Sequence, residues 1–95
     1  MPPSIVVPIS VAGLLPQDRQ AIAALAAALP QAQLGFGEAA GRRGAAILST
    51  SGRELRFERR DGRLMVRDLS NGALVVTGAA IEAVISAVRE YLLPF

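Results

Sequence analysis

The sequence predicts an α+β domain, ordered β-α-β-β-β-β-β-α, in which two helices stack on one face of a mainly antiparallel sheet. Three observations lead there. Asp61-Gly62 and Asn71-Gly72 each separate runs of strand-forming residues, the pattern of a three-strand meander joined by tight turns. Two segments that end at Pro30 and Pro94 carry helical spacing of apolar residues. With 95 residues and 52% hydrophobic content, the chain has one globular domain's worth of material, spanning 1–95, and no room for a second.

Ile5 to Val11 is rich in β-branched residues and reads as a strand, although Pro8 removes one ladder donor and points to an edge position or a bulge. Met1 to Pro3 read as a loose end. Pro16 suits the first turn of a helix, and Asp18 puts negative charge near the positive end of the helix dipole. That helix runs to Leu29, with Ile22, Leu25 and Leu29 forming the core-facing stripe. The remaining positions from Ala21 to Ala28 are alanine, so the helix is apolar nearly all round. A homodimer contact would explain this, and so would alanine's high helix propensity.

Gln33 to Gly37 alternates and forms a short strand, followed by a glycine-rich loop from Gly37 to Gly44. Ala45 to Thr50 is the next strand, and Ser51-Gly52 the next turn. Arg53 to Arg60, Arg63 to Leu69 and Ala73 to Thr77 form the meander, with the register of the last strand depending on whether its loop holds a bulge. Thr77 is positioned to cap a final helix in which Ile81, Val84, Ile85, Val88 and Leu92 face the sheet.

Composition limits function mainly by exclusion. The chain has no Lys, His, Cys or Trp, so a zinc site, a thiol mechanism or a Ser-His-Asp triad is not available within it. The serines have no activating base beside them. No enzymatic activity, cofactor or metal is therefore expected. The amino-terminal stretch lacks a positive n-region and is broken by Pro2, Pro3, Pro8 and Gly13, against a secretory signal, and no apolar run approaches the length of a membrane span. A cytoplasmic location is the expectation.

Eight of the ten arginines lie between Arg42 and Arg67. A two-residue turn at Asp61-Gly62 sets Arg60 opposite Arg63 and Arg56 opposite Arg67 on the solvent face, with Glu54, Glu58 and Met65. Glu54 and Glu58, as diagonal neighbours of Arg67 and Arg63, would offset the like-charge repulsion. Four arginines less two glutamates leave this face at +2, a charge to which Arg42, Arg43 and Arg53 can add. Arginine forks bind carboxylate or phosphate, so Arg42, Arg43, Arg56, Arg60, Arg63 and Arg67 are the candidate residues for an anion or an acidic protein partner. Nucleic acid is disfavoured by the low net charge and by the lack of aromatics on this face for stacking bases.

The segment from Gly35 to Gly44 is spaced GxGxxxG, has no Lys-Ser/Thr after it and leads into a strand, so it departs from both phosphate-loop types. Strict alternation turns Asp68 towards the core, where a carboxylate needs a partner. Its cross-strand neighbour is Leu55, and Arg59 can serve only if the geometry brings it near. Together these features predict a small interaction or structural module that self-associates, with anion or nucleic-acid-backbone binding through the arginine face as the alternative.

Overall fold

The computed structural model describes residues 13–36 and 45–93. The predicted strand at Ile5 to Val11, the loose start and the loop carrying Arg42 and Arg43 lie outside these residues. Helix α1 spans Pro16–Ala28, then five strands follow, β1 Gln33–Phe36, β2 Ala46–Thr50, β3 Arg53–Arg60, β4 Arg63–Asp68 and β5 Ala73–Gly78, and helix α2 spans Ile81–Leu92. The strands lie in the order β1-β2-β3-β4-β5, each antiparallel to its neighbour in sequence. Both helices cover one face, giving the predicted α+β architecture.

Local chemistry explains the helix limits. Proline in the first turn of α1 forfeits no hydrogen bond. At the other end Pro30 forces Leu29 into extended backbone, ψ 149°, which stops the helix. Ile22, Leu25 and Leu29 are all buried. On α2 the buried stripe is Ile81, Val84, Val88 and Leu92, with Ile85 half-buried at its margin. Thr77 does not cap this helix. The β4–β5 ladder continues to Leu64↔Gly78, so Thr77 stays in the strand opposite Met65 and Ala80 becomes the N-cap.

The hairpin at Asp61-Gly62 has the expected geometry. Both residues take positive φ, 54° and 78°, as a type I′ turn requires, and the register opposes Arg60 to Arg63 and Arg56 to Arg67. Between β4 and β5 the pairs Val66↔Val76 and Arg67↔Leu74 leave Val75 as an extra residue in a bulge. The bulge answers the register question: Val76 lies opposite core-facing Val66, while Leu74 lies opposite Arg67 on the open face and is 50% exposed.

The core sits between the sheet and the helices. Phe57, Leu48, Leu55, Leu64 and Val66 from the strands meet Ile22, Leu25, Val84 and Val88 from the helices. Of the large aromatics among the described residues, only Phe57 is fully buried, with Phe36 and Tyr91 packed at the margin. Among the described residues no helix is long and apolar enough to cross a membrane.

Candidate functional site

Strand β3, Arg-Glu-Leu-Arg-Phe-Glu-Arg-Arg, distributes its arginines to both sides of the sheet. Alternation sends Arg53, Leu55, Phe57 and Arg59 towards the helices, and Glu54, Arg56, Glu58 and Arg60 to the open face. Arg53, expected to add to the charge of the open face, instead joins Arg59 on the helix side, bound to Asp68 and Tyr91.

Arg59 closes one end of the core. Its Nε and one terminal nitrogen donate to the two oxygens of Asp18 at 2.7 and 2.9 Å, a bidentate pair in which Asp18 is fully buried. The remaining guanidinium hydrogens reach the carbonyls of Gly62, at 3.0 Å, and Ala79, at 3.3 Å. Asp18 Oδ2 also accepts the N–H of Leu15 at 2.8 Å, which satisfies one of the orphan donors at the helix start. One side chain thus joins the start of α1, the β3–β4 turn and the β5–α2 junction. The hydrogen bond to Asp18 raises the Arg59 pKa against the opposing effect of burial, so the guanidinium stays charged at every accessible pH.

Asp68 closes the other end. Its oxygens accept from the Tyr91 hydroxyl at 2.7 Å, the Ser70 N–H at 2.8 Å and Arg53 at 2.9 Å. Burial alone would raise its pKa, but the hydrogen bonds from Tyr91, Ser70 and Arg53 outweigh it, and the carboxyl sits below its ordinary range. Arg53 lies over the Tyr91 ring, 5.0 Å from its centre, so α2 holds the guanidinium from below. Arg59 is not the partner of Asp68. It serves Asp18 at the opposite end of β3, and Asp18 is a buried ion-pair partner as well as a helix-dipole charge. No buried side-chain nitrogen or oxygen among the described residues lacks a hydrogen-bond partner.

The open face carries Arg56, Arg60, Arg63 and Arg67 together. Glu58 bridges the two open-face arginines of its own strand, 3.2 Å from Arg60 and 3.9 Å from Arg56. The predicted diagonal pairs of Glu54 with Arg67 and of Glu58 with Arg63 are replaced by these same-strand contacts. Arg67 turns along its own hairpin to donate to the Gly72 carbonyl at 3.1 Å. Arg56, Glu58, Arg60, Met65 and Arg67 surround a depression of about 170 Å3. Phe36, Phe57 and Tyr91 all belong to the helix side, leaving no described aromatic on the open face.

Two further concavities lie elsewhere. A polar one of about 470 Å3 sits at the sheet end between Gln31, Gln33, Ser51 and Arg53. An apolar one of about 310 Å3 runs between the helices, lined by Ala21, Ala24, Leu25 and Ala28 of α1 and Glu82, Ile85 and Arg89 of α2. Among the described residues no cluster of three or more His, Cys, Asp or Glu could hold a metal ion. No family model matches the chain, and no curated protein or solved structure shows significant similarity to it.

Proposed function

We propose that this protein is a small non-enzymatic interaction module that works as a homodimer. The observation that supports this most directly is the apolar groove between α1 and α2, flanked on α1 by exposed Ala23, Ala24, Ala27 and Ala28. An apolar concavity on a domain that already has a complete core is surface suited to another protein. What supports the non-catalytic reading is the side chains available: among the described residues the two fully buried carboxylates, Asp18 and Asp68, are each committed to an arginine. Sedimentation equilibrium at tens of micromolar is expected to give twice the 9.9 kDa chain mass, and a clean monomer at that concentration rejects the homodimer.

A second reading, anion binding on the open sheet face, is favoured by the cross-strand pairs Arg60↔Arg63 and Arg56↔Arg67. Two guanidinium forks side by side offer a bidentate seat for the carboxylates of an acidic peptide or for phosphate. Binding of a polyglutamate peptide, followed by fluorescence anisotropy, should weaken at least ~10-fold when Arg60 and Arg63 are both replaced by Glu, and should fall with added salt. No binding to that peptide or to single-stranded DNA at low salt removes this reading.

A further inference from the structure

We propose that a second copy of this chain occupies the α1–α2 groove, with the two copies related by a two-fold axis that passes near Ile85. This rests on the homodimer reading above and adds the surface and the orientation. Glu82 and Arg89 are both exposed, lie on the wall of the groove and are seven residues apart on α2, two turns or ~10 Å along the helix. That separation is too great for them to pair with each other. Neither makes an ion pair or side-chain hydrogen bond among the described residues.

A two-fold axis perpendicular to α2 solves this in one step. It lays the partner's helix antiparallel, so that Glu82 meets the partner's Arg89 while Arg89 meets the partner's Glu82. Ile85, half-buried and midway between the two charges, then falls beside the axis and contacts its own copy. A parallel arrangement would oppose like charges at both places. The alanines of α1 set only the distance: Ala24 and Ala28 present nothing beyond Cβ, which permits helix axes to approach within ~8–10 Å.

Charge also disfavours the other broad surface. The open sheet face carries four arginines and two glutamates, so two such faces would meet at +2 against +2. The wall of the groove presents one acid and one base, Glu82 and Arg89, in positions that complement themselves under rotation.

The test is a pair of charge reversals used separately and mixed. Glu82→Arg leaves two bases on the groove wall and Arg89→Glu leaves two acids. Each alone should raise the dimer dissociation constant at least ~10-fold, since like charges are brought together twice. An equimolar mixture should restore association as a heterodimer with one copy of each, which native mass spectrometry resolves. Ala24→Arg, which fills the groove from α1 and leaves the sequence of α2 unchanged, should also dissociate the dimer and guards against an effect of the reversals on the stability of α2. Single variants that dimerise as tightly as wild type overturn the groove while leaving the homodimer standing. A mixture of folded variants that stays monomeric overturns the two-fold pairing, and a wild-type monomer overturns both.

Discussion

Arg59→Met is expected to lower the free energy of unfolding by about 3–5 kcal/mol, the largest single-residue loss on the molecule's polar side. Asp18 is fully buried, and with Arg59 gone its charge keeps only the Leu15 N–H. The carbonyls of Gly62 and Ala79 lose their donor at the same moment. Most of the loss is the cost of leaving a carboxylate unpaired in low dielectric, not the strength of the pair itself. The second variant separates the two. Arg59→Met combined with Asp18→Leu removes both charges and should recover most of the stability, because replacing a buried pair with apolar groups is often nearly neutral. Urea denaturation with an unchanged m-value measures each step. A loss below ~1 kcal/mol in the single variant would show that water reaches Asp18 and that the pair is not a buried one.

Asp68→Ala is expected to cost about 2–3 kcal/mol at neutral pH, since hydrogen bonds from Tyr91, Ser70 and Arg53 all end on this carboxylate. Its pH dependence has a definite sign. The folded pKa is lowered, so the contribution is fully present above the unfolded value, ~4, and is lost as pH falls through the folded value. Thermal melts of the wild type should therefore be level from neutrality down to about pH 5 and decline at more acid pH. The Ala variant should start lower and decline less over the same range. A variant whose acid limb matches that of the wild type would assign the acid sensitivity to other carboxylates.

The parts of the fold that the sequence made legible are those governed by short-range rules. Asp61-Gly62 dictated the type I′ turn, and with it every pair between β3 and β4. Apolar spacing placed Ile22, Leu25 and Leu29, and Ile81, Val84, Val88 and Leu92, on buried stripes. The misread features involve competition or distance. Thr77 has the chemistry of a cap, yet strand pairing with Met65 claims it, because Gly78 still has a partner in Leu64. The Asp18–Arg59 pair joins residues 41 apart in sequence, and no local rule brings them together. A signal for it was present nonetheless. Asp18 lies four residues before Ile22 on the same helical stripe, and Arg59 shares strand parity with Phe57, so the pattern turns both towards the core, although the sequence reading uses Asp18 only as a helix-dipole charge. For the open face, periodicity gathered the arginines correctly but gave no guide to rotamers, which decided that Glu58 bridges Arg56 and Arg60 along the strand.

The two buried carboxylates have a consequence for how the sheet finds its alignment. Strand β3 holds arginine at positions 53, 56, 59 and 60, so a slipped strand would still look strand-like and charged. Arg53 and Arg59 are six residues apart, ~20 Å of extended chain, and each must reach a fixed carboxylate at its own end of the core. A slip of two residues keeps the alternation of faces but puts Phe57 or Asp61 where Arg59 belongs, leaving Asp18 without a cation. A slip of one turns Phe57 to solvent. Asp18 and Asp68 act as two marks on a gauge, and only one alignment of the strand satisfies both. Their value to the protein on this view is fidelity of folding: the misaligned states are raised in energy even where the ion pairs add little to the stability of the aligned one.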